Sequence, residues 1–236
     1  MKDLKRKMMM AAALGVVCMP AAAQDKVEAV VGADFVSRYV WRGQHLGDVS
    51  LQPTLGLSYK GLSLTAWGSV GLSEPDDTEE FDLTLAYAAG GFNIGVTDYW
   101  FDTPESRYFS YGAHETSHVF EANIGYDFGP VDLQWYTNFA GNDGVNDSGD
   151  RAYSSYFEAS VPFTLAGCSW KATVGAVPYA TSFYADAGGF AVTNVSLRAE
   201  RAVGVTRTFS IPLFAGITAN PSSEKAYFVF GFSLRP

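Results

Sequence analysis

Val27-Glu28-Ala29-Val30-Val31-Gly32-Ala33-Asp34-Phe35-Val36-Ser37-Arg38-Tyr39-Val40-Trp41-Arg42 sorts its side chains by parity. Apart from Ser37, the odd positions are apolar or aromatic, while the even ones include Glu28, Asp34, Arg38 and Arg42. A strand turns successive side chains to opposite faces, so this segment has one greasy and one charged face. The pattern recurs along the chain. It predicts twelve strands, near 27–42, 50–59, 62–72, 80–88, 92–101, 115–127, 131–140, 151–163, 168–179, 190–201, 205–218 and 225–235. Most approach the 9–11 residues, roughly, that a tilted strand needs to cross a bilayer. A long series of half-apolar strands suits an all-β, antiparallel up-and-down transmembrane barrel, apolar outside and polar within.

The links alternate in length. Short ones fall at Lys60-Gly61, Ala89 to Gly91, Gly129-Pro130, Thr164 to Gly167 and Ala202 to Gly204. Longer polar ones fall at Gly43 to Val49, Ser73 to Glu79, Asp102 to His114, Gly141 to Asp150, Ala180 to Gly189 and Ala219 to Glu224. Short periplasmic turns and long outer loops are the habit of outer-membrane barrels, with both termini periplasmic when the strand number is even.

Hydrophobic residues make up 47% of the 236 residues and charged ones 17%, below the roughly 25% usual in soluble domains. No window reaches the roughly 18 apolar residues of a transmembrane helix. Residues 1–23 read as a secretory signal peptide. Lys2, Lys5, Arg6 and Lys7 form its basic head, Met8 to Met19 its apolar stretch, and Ala21-Ala22-Ala23 its cleavage site. The barrel is then a single domain, residues 24–236. Cleavage lowers the basic residues from 16 to 12 and the acidic ones from 25 to 24, moving the net charge from -9 to -12. So acidic a chain argues against nucleic acid as partner. Cys168 is the lone cysteine left, which excludes an internal disulfide.

The outward rows read Leu51, Leu55, Leu57, Tyr59; Leu62, Leu64, Ala66, Val70; Phe81, Leu83, Leu85, Tyr87; and, last, Phe228, Phe230, Phe232, Leu234. Tyr59, Tyr87, Tyr126 and Trp170 fall at turn ends, and Tyr39, Trp41 and Tyr153 at loop ends, the placement of two interfacial aromatic belts. Pro53, Pro162, Pro178 and Pro212 fit strands poorly, because proline cannot donate to a ladder. Asp98 falls on an outward row, which predicts a register change there.

The inward row carries the charge. Asp34, Arg38, Arg42, Asp82, Glu121, Glu158, Lys171 and Arg198 are the candidate lumen residues. Ions avoid hydrocarbon, so they must share water or one another. In one reading they line a wet passage, whose excess of carboxylates favours cations if the bore is wide. In the other, Arg38, Arg42 and Arg198 pair with Glu121, Glu158 or Asp82 and plug the barrel. Twelve strands lie between the eight that side chains fill and the sixteen that leave a channel, so size does not choose.

Other chemistry is weakly represented. His118 faces outward near the loop end, but its neighbour on that face is Thr116, while Ser117 points inward; no nucleophile–base pair emerges, and no catalytic residue is assigned. Glu74, Asp76, Asp77, Glu79 and Glu80, and likewise Asn142, Asp143, Asn146, Asp147 and Asp150, crowd two acidic loops without a calcium-loop spacing. No metal or other cofactor is expected.

Val36-Ser37-Arg38-Tyr39-Val40-Trp41-Arg42-Gly43, followed by Trp67 and Glu80-Phe81-Asp82, resembles the signature of the TorF-like porin family of Gram-negative outer-membrane proteins. The resemblance covers roughly the first hundred residues. It implies a monomeric outer-membrane barrel with a pore, and Arg38 and Arg42 as lumen residues of the first strand. The expected function is therefore a narrow channel for small hydrophilic solutes or ions, in contact with outer-membrane lipid. The rivals are a non-conducting barrel that offers loops such as Asp102 to His114 to a partner, a lipid-directed enzyme, and a soluble lipocalin-like barrel with its apolar rows inside.

Overall fold

The computed structural model describes residues 26–73, 77–112 and 115–235. The expected leader, Glu74 and Asp76 of the first acidic loop, and His114 lie outside the described residues. Among the described residues fourteen strands occur in chain order: β1 (Glu28–Val36), β2 (Tyr39–Trp41), β3 (Gln44–Gly47), β4 (Ser50–Tyr59), β5 (Leu62–Gly71), β6 (Glu79–Ala89), β7 (Phe92–Asp102), β8 (His118–Asp127), β9 (Asp132–Gly141), β10 (Ser155–Leu165), β11 (Cys168–Val177), β12 (Ala191–Gly204), β13 (Ser210–Asn220) and β14 (Lys225–Leu234). Twelve of them, β1 and β4 to β14, form a closed antiparallel barrel in which β1 meets β14 through Ala33–Leu234 to Val36–Gly231. The expected fold class is the observed one.

Alternation sorts the wall as the sequence predicts. Leu55, Leu57, Leu62, Leu64, Leu85, Ile124, Ile217, Phe228 and Phe230 are exposed on the outside. Gln52, Ser69, Asp82, Asn93, Thr97, Glu121 and Asn123 are buried within. This order is the reverse of a soluble barrel and excludes the lipocalin-like reading. A closed barrel with this outer wall fits an outer-membrane protein, because every wall ladder is paired and none ends at an open edge.

One end of the barrel is closed by tight turns. Lys60-Gly61, Gly90-Gly91 and Ala166-Gly167 each carry two positive φ angles between directly paired residues, the two-residue hairpin geometry that matches strand twist. The link expected at Ala202 to Gly204 is displaced: β12 and β13 stay paired to Gly204–Ser210, and residues 205–209 make the turn. Long loops gather at the other end.

The prolines are accommodated by position. Pro162 pairs with Lys171 of β11, but lies beyond Ser160, where the ladder to β9 stops. Pro212 pairs with Ala202 of β12, and the ladder to β14 begins one residue later. Pro178 follows the end of β11. Pro53, within β4, pairs with Ala33 of β1, while the ladder to β5 skips it between Leu51–Val70 and Thr54–Trp67, so each proline lies where a neighbouring ladder ends or is interrupted.

Three expectations are corrected. The first strand does not run from 27 to 42: β1 ends at Val36. Ser37 then turns the chain inward, its N–H donating to the Phe230 carbonyl at 2.8 Å and its Oγ accepting the Phe230 N–H at 3.0 Å. The outer-loop segment 43–49 is also partly strand, since β2 and β3 pair as a separate hairpin. In addition, Asp98 keeps its outward position without a register shift on either of its own ladders. Its charge is met instead by His118, 2.7 Å away on β8.

Candidate functional site: a clasp across the lumen

The β2–β3 hairpin fills the loop end of the barrel. Its two-residue tip is Arg42-Gly43, with φ of 48° and 85°, the same geometry as the tight wall turns. Gly43 has no alternative, because a Cβ there would stand 1.8 Å from the Thr193 carbonyl oxygen of β12. On the same side, Asn220 Nδ2 donates to the Gly43 carbonyl at 3.0 Å. A non-glycine residue in the left-handed region is uncommon and persists where its surroundings over-determine it. At Arg42 the surroundings are evident.

The Arg42 guanidinium donates to Glu121 of β8 twice, Nη1 to Oε2 at 2.5 Å and Nη2 to Oε1 at 3.1 Å. Tyr99 of β7 donates to Oε1 at 2.9 Å, and Tyr184, from the loop after β11, donates to Oε2 at 2.6 Å. Four donors thus occupy the roughly four lone-pair sites of one carboxylate. The guanidinium carbon lies 3.8 Å from the Tyr136 ring centroid, 4.4 Å from Trp41, 4.8 Å from Tyr156 and 5.1 Å from Tyr184. Phe183 meets Trp41 edge-on and continues the aromatic layer. Strands β7 to β10 and two loops therefore converge on one cation. A charge pair this deep is costly to desolvate and correspondingly costly to break, about 3–5 kcal/mol when one partner is removed.

Tyr39 and Trp41 are therefore not belt residues. Tyr39 is 5% exposed, tilts against Trp67 and donates to Glu80 Oε2 at 2.9 Å. Trp41 packs edge-on to Tyr99 and tilted against Tyr184 inside the lumen. The inward turn at Ser37 carries both off the wall. Tyr59, Tyr87 and Tyr126 are exposed on the outer wall at the turn end, and Trp170 stacks on Phe163 beside them. Tyr153 is exposed at the loop end.

Of the lumen candidates, Arg42 and Glu121 meet in the clasp, and buried Asp82 lies near Glu80 on β6. Glu158 accepts from Tyr156 at 3.1 Å, and Lys171 stands directly opposite Arg198. Arg38 reaches Asp48, not a wall carboxylate, at 3.3 Å, and Arg198 reaches Glu200 of its own strand at 3.8 Å. On the turn side of the hairpin lies a chamber of about 200 Å³. Asp34, Arg38, Gln52, Thr65, Trp67, Asp82, Thr97, Tyr99, Arg198, Phe214 and Arg235 are among its lining residues.

Two loops answer the remaining sequence candidates. His118 is fully buried on the outer wall beneath the loop after β7. Its Nδ1 faces Asp98, and its Nε2 donates to the Tyr108 carbonyl at 2.6 Å, so neither nitrogen meets a hydroxyl. Tyr108 packs on Phe81 and Trp100 of the outer wall, so the loop lies folded over the barrel's outside. In the second acidic loop, Asp143 accepts from the Ser154 N–H at 3.0 Å and from Arg151 at 3.4 Å. Burial pushes its carboxyl up, partly opposed by those donors. Asn146 accepts from the N–H groups of Ser148 and Asp150, so the side-chain oxygens of Asp143 and Asn146 are turned on the loop itself.

Sequence reading missed the hairpin, Tyr184 and the Asp98–His118 pair. For the hairpin a signal existed: Arg42-Gly43 between two short alternating runs is a two-residue turn pattern. Nothing in the loop around Tyr184 marks it as inward-folded. No protein-family model matches this chain, and no curated protein is detectably similar to it.

Proposed function

We propose that this protein is an outer-membrane β-barrel that passes small hydrophilic solutes or ions through a narrow lumen gated by the β2–β3 hairpin. Both ends of the barrel wall would then take their usual places, tight turns in the periplasm and long loops outside. The observation that carries the reading is the clasp. Arg42 and Glu121 bridge a lumen into which Gln52, Asp82, Thr97 and Asn123 project, with a chamber kept on the turn side. The resemblance of the opening segment to TorF-like porins points the same way.

A hairpin is a natural gate here. It is joined to the wall at both ends and held across the bore by side chains, so it can leave without breaking a wall ladder. A non-conducting barrel that presents its loops is the second reading, favoured by the exposure of Phe109 (87%) and Tyr111 (53%) on the loop after β7. Swelling of liposomes containing the refolded mature protein separates the two. With arabinose as solute, slow swelling that accelerates in Arg42→Ala supports the gate. Liposomes that swell no faster than protein-free ones, with either protein, overturn it.

A further inference from the structure

The chain is acidic, with a formal net charge of -9, yet the chamber behind the hairpin is not. Its ionisable side chains are Arg38, Arg198 and Arg235 against Asp34 and Asp82. We propose that this chamber binds a small carboxylate carrying one aromatic ring. The proposal rests on the lumen being a solute passage, and it names the class of solute.

Arg198 is the centre of the argument. Its guanidinium carbon lies 3.7 Å from the Phe214 ring centroid, so stacking fixes the group before any ligand arrives. Among the described residues its Nη2 donates no hydrogen bond, and the Glu200 carboxylate stands 3.8 Å away.

Arg38 meets Asp48 by a single contact at 3.3 Å, in contrast to the two-pronged clasp of Arg42. A planar guanidinium offers a carboxylate two parallel hydrogen bonds. Towards the hairpin the same chamber is aromatic, with Trp41, Trp67 and Tyr99 on its lining. At about 200 Å³ it is smaller than the sites that take drug-sized ligands, and it suits one ring with its anionic group.

Trp41 and Trp67 supply the readout. Folded protein in detergent is titrated with benzoate, benzylamine and benzyl alcohol while tryptophan emission is followed. Saturable binding is expected for benzoate, with the other two at least about tenfold weaker. Arg198→Gln is expected to weaken benzoate by about tenfold or more, and Arg198→Lys to recover part of the loss. Should Arg198→Gln fail to fold, as judged by heat-modifiable gel mobility, Arg38→Gln serves in its place, with weakening of several-fold. Benzylamine binding as tightly as benzoate, or benzoate binding that is absent or indifferent to these substitutions, overturns the proposal. Binding in detergent needs no conduction. A barrel that binds benzoate but never conducts loses the channel reading alone, and one that conducts without binding benzoate loses the carboxylate site alone.

Discussion

Arg42 and Glu121, 79 residues apart in sequence, join the tip of an inserted hairpin to the opposite wall by two hydrogen bonds inside an aromatic cage. That link ties the hairpin across the lumen, from the β1–β4 side of the barrel to β8. Removing the guanidinium leaves the Glu121 carboxylate buried with Tyr99 and Tyr184 as its remaining donors. Arg42→Ala should therefore lower the stability of the loop end by about 3–5 kcal/mol. Urea titration followed by tryptophan fluorescence checks this, and an unchanged midpoint would remove the clasp from the account.

The hairpin tip is tested separately by Gly43→Ala. The added Cβ meets the Thr193 carbonyl oxygen, and the backbone stays in a region that side chains avoid. The tip can then no longer seat against β12, although the wall strands are untouched. The expected result is faster hydrogen exchange across residues 39–47 by at least about tenfold, with exchange in β5 and β6 unchanged.

Closure of the barrel depends on Gly231 of β14, where a Cβ would stand 2.1 Å from the Phe35 carbonyl oxygen and 2.5 Å from the Phe214 ring. Gly231→Ala should hinder the β1–β14 ladder, which the four pairs from Ala33 to Val36 form. The folded, heat-modifiable gel band should diminish. A variant that folds as well as the parent would show that the seam can relax.

The loop after β7 is pinned to the outer wall by His118, between Asp98 and the Tyr108 carbonyl. His118→Ala removes a buried hydrogen-bonded link worth about 1.5–3 kcal/mol, so trypsin should cut after exposed Arg107 about 10–100 times faster. Equal cleavage rates would show that the aromatic contacts of Tyr108 hold the loop without it.

Asp143 gives a pH dependence of known sign. Burial raises its carboxyl above the ordinary aspartate range, so the folded loop prefers the protonated form. Its contribution is intact below the unfolded aspartate value and declines as pH rises through the window up to the raised one. Exchange in residues 142–154 should accelerate across that window, and Asp143→Asn should abolish the acceleration.

Much of the fold was readable because alternation is a property of each strand alone. The Leu55–Leu57 and Leu62–Leu64 rows, and the glycine-bearing turns between them, need no knowledge of partners. The path of the chain after Val36 does depend on partners. Tyr39-Val40-Trp41 alternates equally well as a wall strand or as half of an inner hairpin; the Arg42-Gly43 turn marks the hairpin, and the contact of Ser37 with Phe230 carries it off the wall. The candidate list held both Arg42 and Glu121, but parity shows that a side chain faces inward, not which inward side chain it will meet. Asp98 misled for the same reason: its partner His118 lies on another strand, and the loop that shields them both comes from between.

The most direct test of the gate is single-channel conductance of the mature protein in a planar bilayer, parent against Glu121→Gln. Gln keeps the size of Glu121 but cannot balance the charge of Arg42. The account predicts rare, small openings for the parent and openings at least about tenfold more frequent for the variant. Silence from both proteins, with the barrel folded, would contradict it.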